Sequence, residues 1–146
     1  MTYSAVAAAA GTTTTETAIT LTKSSGTAAT STAVSFAPTS GKRYRITSIT
    51  FATRGNASAT IQTTTFNFRI NTAGAVTTSS TPIIFSVRSA TPATASAWDR
   101  FSVPLPDDGI QIAGDGTLQF GVTAAATYVT NAPTWDVLIT GYEYAP

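Results

Sequence analysis

From Val34 onward, apolar and polar residues alternate with a period of two, interrupted at short intervals by Pro, Gly, Asn or Asp. Val34 and Phe36 flank Ser35, and Pro38-Thr39-Ser40-Gly41 predicts a turn. Tyr44 and Ile46 point one way and Arg43 and Arg45 the other. Ile49 and Phe51 then resume on the opposite parity, because Ile46 and Ile49 are an odd number of residues apart. Such a break predicts a β-bulge or a strand bending between two sheets. Gly55-Asn56 ends this element. Ile61 and Thr63 open the next, where Phe66, Phe68 and Ile70 alternate with Asn67 and Arg69 and predict a half-buried strand.

Asn71-Thr72-Ala73-Gly74 is a predicted turn, followed by a Thr/Ser loop to Pro82. Ile83, Phe85 and Val87 form one face of a strand whose other face carries Ser86 and Arg88. Residues 89–96 read as a loop. Trp98, Phe101 and Val103 mark a further strand, stopped by Pro104 and Pro106. Asp107-Asp108-Gly109 turns into Ile110 and Ile112, and Gly114-Asp115-Gly116 turns into Leu118, Phe120 and Val122, which together predict a hairpin. Trp135, Val137 and Ile139 share one face of the last strand, with Leu138, Tyr142 and Tyr144 on the other. A strand apolar on both faces is either central or covered by a partner subunit. With no helix-period segment beyond one turn, the expected fold is all-β: a jelly-roll or β-sandwich of about eight antiparallel strands over residues 33–146.

The first 32 residues differ. Residues 12–15, 24–27 and 28–32 are low-complexity and polar, with few large apolar side chains. Ile19 and Leu21 share one parity before Lys23 and predict a short strand. The alanines at 7–10 are too few for a stable isolated helix and read as extended. Residues 1–32 are therefore expected to form an extended N-terminal arm that buries little area.

Composition narrows the chemistry. The 146 residues include 31 Thr, 25 Ala and 14 Ser, with neither Cys nor His, and eight basic residues balance seven acidic ones to a net charge of +1. One domain fits this length. The even charge gives little long-range field, so neither nucleic acid nor an anionic membrane is expected as a partner. Without cysteine there is no disulfide or thiolate chemistry. No Lys or Arg precedes the short Ala-based run near the N-terminus, which weakens a secretory reading. No stretch of ~18 apolar residues could span a bilayer. Folding in a cytosol is expected, and the Asn56-Ala57-Ser58 sequon is set aside.

Candidate chemical sites are few. Without His the usual general base is missing, so Ser-His-Asp and Cys-His arrangements cannot be built. Asp107, Asp108 and Asp115 form the one local acidic cluster; Ca²⁺ binding is conceivable, but Asp before Gly is what turns use, and the turn reading is preferred. A glycosidase needs two carboxylates about 5–9 Å apart, and nothing singles out a pair. Gly114-Asp115-Gly116 has no following helix and is not a phosphate loop. Lys42, Arg43, Arg45 and Arg54 concentrate positive charge, for an acidic patch on a partner or, preferably, for blocking edge aggregation. Trp98, Trp135, Tyr142 and Tyr144 are candidates for a carbohydrate platform or interface anchors. Core packing is preferred for Trp135. No catalytic residue, metal ligand or cofactor is expected.

The strand Lys42-Arg43-Tyr44-Arg45-Ile46-Thr47-Ser48-Ile49-Thr50-Phe51, the strand Phe66-Asn67-Phe68-Arg69-Ile70, the turn Pro106-Asp107-Asp108-Gly109-Ile110 and the terminal run from Trp135 to Tyr144 resemble small jelly-roll virion proteins of tailed bacteriophages. The nearest type is the capsid cement or decoration protein, including those of cyanophages. The likeness covers roughly residues 34–146 and is a pattern without a diagnostic motif. It implies a non-enzymatic, usually trimeric protein on the capsid exterior, made in the host bacterial cytoplasm, that clamps subunits of the major capsid protein. On that reading Tyr3, Val6, Ile19 and Leu21 of the arm, with Arg43, Arg45, Tyr142 and Tyr144, are the expected partner-binding residues. The alternative is a receptor- or glycan-binding module of a phage tail or head fibre, with Trp98-Asp99 or Asn131 near the glycan.

Overall fold

The computed structural model describes residues 1–9, 15–25, 28–55, 62–80, 82–91, 97–126 and 133–146. The features read at Ala10, residues 12–14, the Asn56 sequon, Ile61, residues 92–96 and Asn131 lie outside them. The described chain is all-β, in two antiparallel sheets packed as a sandwich. Its strands are β1 (Thr2–Ala9), β2 (Thr17–Ala18), β3 (Leu21–Ser25), β4 (Ala28–Ala33), β5 (Ser35–Phe36) and β6 (Arg43–Arg54). They continue with β7 (Gln62–Asn71), β8 (Ile83–Thr91), β9 (Trp98–Ser102), β10 (Ile110–Ala113), β11 (Gln119–Ala126) and β12 (Thr134–Tyr144).

Sheet A runs β10-β6-β12-β1-β3-β4, with β9 also on β6, and sheet B runs β2-β11-β7-β8, with β5 also on β11. These are twelve strands among the described residues, against the eight expected. The surplus comes mostly from the first 36 residues, which supply β1 to β5.

The N-terminal residues do not stand apart as an arm. β1 lies inside sheet A between β12 and β3, and Tyr3, Ile19 and Leu21 are fully buried in the common core. Three large side chains were enough, because each is buried in the common core and the small residues between them need only extend the ladders. Tyr3 meets the rings of Phe36, Tyr44 and Phe120 at 4.9, 5.4 and 5.1 Å. Phe51 and Trp135 of sheet A meet Phe66 of sheet B at 4.6 and 5.9 Å. Such pairs add roughly 0.5–1.5 kcal/mol each beyond the area they bury.

The parity break in β6 is a bulge. Thr140 pairs with Ser48 and Gly141 with Ile46, so Thr47 is the extra residue, and Thr47 and Ser48 are both exposed. On its other edge β6 changes partners at the same place, holding β10 before the bulge and β9 after it. The expected β10–β11 hairpin does not form: β10 joins sheet A and β11 joins sheet B. The Gly114 link passes between the sheets, fixed by Gly114 N–H donating to Lys42 O at 2.8 Å and Gly41 N–H donating to Gly114 O at 3.0 Å. Turn chemistry is the same whether the two strands stay in one sheet or separate, so sequence could not distinguish these cases. Residues 89–91, expected to belong to a loop, are instead the end of β8, which continues to Thr91.

β7 is buried on both faces rather than one. Phe66 and Phe68 face the core, while Asn67 and Arg69 on the reverse are also buried. Glu16 covers them. Arg69 donates to Glu16 Oε1 and Oε2 from Nη2 at 2.8 and 3.0 Å and to Ser80 O from Nη1 at 2.7 Å. Asn67 Nδ2 donates to Glu16 Oε1 at 2.9 Å, and the Thr123 hydroxyl donates to the same oxygen. Burial works against the charge on Glu16, but the hydrogen bonds from Thr123, Asn67 and Arg69 and the nearby guanidinium outweigh it and hold the carboxyl below its ordinary 4.5.

A group with a lowered folded pKa contributes stability above its unfolded pKa and loses it as pH falls through the folded value. Glu16→Gln leaves Arg69 buried without its counter-charge and should destabilise the protein at pH 7 by about 3 kcal/mol. In denaturant melts from pH 7 to pH 3, the gap between the two proteins should narrow below pH 4.5 as the wild-type carboxyl protonates. A gap that stays constant with pH would show that Glu16 contributes no charge-dependent stability.

Candidate functional site

Alternation along β12 sends Trp135, Val137 and Ile139 inward and Asp136, Leu138, Thr140, Tyr142 and Tyr144 outward. Because β12 is central in sheet A, its outward residues lie in the middle of a broad exposed face. Ser4, Leu138, Thr50 and Ser102 stand in register across β1, β12, β6 and β9, and the Thr50 and Ser102 hydroxyls are 3.0 Å apart. Val6 is 78 % exposed, and Leu138, Trp98 and Tyr142 are between 42 and 48 % exposed. A shallow cavity of about 300 Å³ lies among Val6, Leu138, Thr50, Arg100 and Asp136.

One end of this face gathers four of the residues singled out from sequence. Tyr142 pairs with Arg45 and Tyr144 with Arg43 across β12 and β6. The Arg45 guanidinium lies 5.5 Å from the centre of the Tyr144 ring, and the Tyr142 and Tyr144 rings are 5.9 Å apart. Asp108, on the turn into β10, approaches Arg45 at 3.5 Å. That turn is shaped by Gly109, whose φ of +67° and close approach to the Ile46 carbonyl exclude a side chain. The opposite end carries Trp98 with the Arg54 guanidinium 5.5 Å from its ring centre. An exposed cation–π contact of this kind is worth about 0.5–1 kcal/mol. Such contacts also restrict the long Arg side chains to positions over the rings.

Of the eight expected partner-binding residues, the structure places Val6, Arg43, Arg45, Tyr142 and Tyr144 on this one face and buries Tyr3, Ile19 and Leu21 in the core. The three buried side chains cannot meet a partner, because closing the sandwich has already removed them from water. Leu138 belongs to the face through its strand parity. Thr50 and Ser102 belong to it too, but in a chain with 31 threonines and 14 serines they give no signal of their own.

The remaining candidates resolve into local structure. Asp115 accepts from the backbone N–H of Leu118 at 2.6 Å and of Thr117 at 2.9 Å, and these donors hold its carboxyl below the usual aspartate range. Among the described residues no three of His, Cys, Asp or Glu come together as a metal-binding group. Burial, with Glu143 nearby, pushes the Tyr3 phenol well above its ordinary value. Burial does the same to Tyr44, helped by Tyr3 and Glu143, and both phenols stay neutral at physiological pH. No helix is long and apolar enough to cross a membrane among the described residues. No protein-family model matches the chain, and neither does any curated protein.

The Arg–Tyr end depends on one glycine. A Cβ at Gly141 would lie 2.8 Å from both Cζ and the hydroxyl of Tyr44 and closer still to the Arg45 carbonyl oxygen. Gly141→Ala should therefore force β12 away from β6 next to the Tyr142–Arg45 pair. We expect a loss of about 3 kcal/mol, or roughly 10 °C in Tm for a chain of this length. Calorimetry checks it, and an unchanged Tm would show that the strands separate there without cost.

Proposed function

We propose that this is a non-enzymatic structural protein of a phage virion, which binds the outer surface of the capsid and stabilises contacts between its subunits, as cement or decoration proteins do. The observation that carries this reading is the outer face of sheet A. It is broad and built on the central strands. Its exposed Val6 and Leu138 are flanked by Arg–Tyr and Arg–Trp clusters at its two ends. Trp, Tyr and Arg are the residues that most often anchor interfaces, and hydroxyl rows between them satisfy a polar partner without strong charge. The likeness of residues 34–146 to jelly-roll virion proteins supports the same reading. It supplies the finer parts of the proposal: jelly-roll wiring, a homotrimer, and the major capsid protein as partner on the virion exterior.

The second reading, a receptor- or glycan-binding module of a tail or head fibre, draws on the exposed Trp98 beside Asp99. Arg54 lies over the Trp98 ring and takes up the face on which a sugar would stack. The cementing role therefore accounts for more of the surface.

Deleting residues 1–32 is not a usable test, since it removes β1 from the interior of sheet A. Leu138→Glu and Tyr142→Glu change exposed positions and leave the core intact. Added to purified heads of the encoding phage that lack this protein, the wild type should sediment with them. Each variant should lose at least about tenfold in occupancy, as an interface anchor does, with its melting unchanged. Wild-type binding that both variants retain, or micrographs placing the protein on the tail, would overturn the reading. A stable monomer by solution mass measurement would remove the trimer.

A further inference from the structure

Every charged side chain of the protein belongs to a described residue, and the two signs are unevenly placed. The outer face of sheet A takes four of the six arginines. Arg43, Arg45 and Arg54 project from β6 on that side, and Arg100 of β9 lines the hollow with Val6 and Leu138. Among carboxylates, Asp136 alone projects outward from these strands. Glu143 turns to Thr39 and Asp99 to Ser89 on the opposite side, while Glu16 is closed against Arg69 and Asp115 is bound within its own turn. Asp107 and Asp108 stand at the rim. Asp108 meets Arg45 at 3.5 Å with its side chain 88 % exposed, and an exposed pair of that length holds little.

Charged side chains on strands commonly block edge-to-edge association, but β6 has no open edge where its arginines stand. Arg43 lies between Ala113 and Tyr144, Arg45 between Gln111 and Tyr142, and Arg54 between Trp98 and Thr134. The expectation that these arginines guard an edge therefore fails. Arg45 and Arg54 are nine residues apart along β6 with one residue bulged, which separates the two ends of the face by roughly 25–30 Å. That is about the width of a standard interface patch of ~800 Å². Between the ends lies the hollow of about 300 Å³ beside Val6 and Leu138. A nucleic acid wants an unbroken basic track and free ring faces for its bases. Here Val6, Leu138 and Asp136 interrupt the track, and the Arg45 and Arg54 guanidiniums lie over the rings of Tyr144 and Trp98. A protein surface can match separate positive ends and an apolar middle.

We infer that this face docks onto an acidic protein surface, one that presents carboxylates to both arginine ends and an apolar side chain to the hollow beside Leu138; this rests on the docking role of sheet A proposed above. Two measurements on the full chain test it. In the first, the ¹⁵N-labelled protein is titrated with poly-L-glutamate. The Trp98 indole signal should shift saturably while that of buried Trp135 stays in place. Arg43→Gln combined with Arg100→Gln removes one charge from each end and should weaken binding about tenfold with melting unchanged. Arg88→Gln, an exposed change on sheet B, should leave it as it is. No saturable shift, an equal loss in Arg88→Gln, or equally tight binding of a 12-base-pair DNA duplex overturns the assignment. In the second, binding to phage heads lacking the protein should weaken at least tenfold between 50 and 500 mM salt, as screening requires, and should weaken in the double variant. Head binding indifferent to both salt and the double variant overturns the acidic partner and leaves the capsid reading standing. No head binding by the wild type removes the capsid reading, and the polyglutamate titration then decides the acidic partner alone.

Discussion

The seating of Tyr3 between the two sheets is the contact on which the rest of the sandwich depends. Its ring touches Phe36 and Phe120 of sheet B and Tyr44 of sheet A within 5.4 Å, so one side chain near the chain's start joins three distant segments. β3 and β4 reach sheet A only through β1. If Tyr3 left the core, half of that sheet's strand order would lose its inner neighbour. Its phenol is neutral at physiological pH, as any unperturbed tyrosine is, and burial raises its pKa further, so the seat asks for no charge to be stripped of water. The Tyr44 hydroxyl donates to the Met1 carbonyl at 3.1 Å beside it and pins the start of β1 in place.

This dependence explains where the sequence was readable. Strands with large alternating side chains, such as Tyr44–Ile46, Phe66–Phe68 and Trp135–Ile139, announce both their class and their inward face, and the β6 bulge follows from counting alone. The N-terminal strands do not, because burial there is carried by Tyr3, Ile19 and Leu21 spaced among Ala, Thr and Ser. Small residues alternate in size too little to show a period. Arg69 misled for another reason: its parity was right, but parity says nothing of what covers the reverse face, and Glu16 lies 53 positions away in sequence. Of the candidate site, the Arg43, Arg45, Tyr142 and Tyr144 group was legible because strand parity fixes which side each occupies.

The two outer faces are unlike in a way that bears on function. The middle of sheet B is closed by Glu16, and a buried ion pair with several satisfied hydrogen bonds resists being opened for a partner, since removing either group strands the other's charge. Sheet A has no such cover over Leu138 and Val6. A partner binding there displaces water from methyls and hydroxyls and disrupts no internal network. The exposed face is therefore the cheaper one to bury.

β1 carries a bulge of its own beside the exposed face of sheet A. Ala5 pairs with Val137 and Ala8 with Trp135, so three steps along β1 oppose two along β12. Simple alternation after Ser4 and Ala5 already turns Val6 outward as a ridge, and the cavities on either side share Ser4, Ala5 and Val6 in their linings. A bulge strengthens local twist and leaves a residue out of the ladder. Here that twist coincides with the point where β1 separates from β3. The bulge thus lies between Val6, 78 % exposed on the face of sheet A, and the part of β1 that, among the described residues, pairs with β12 alone. In a strand otherwise made of Ala, Thr and Ser, Tyr3 and Val6 therefore give β1 two unlike surfaces, a ring seated between the sheets and an apolar ridge on the face of sheet A.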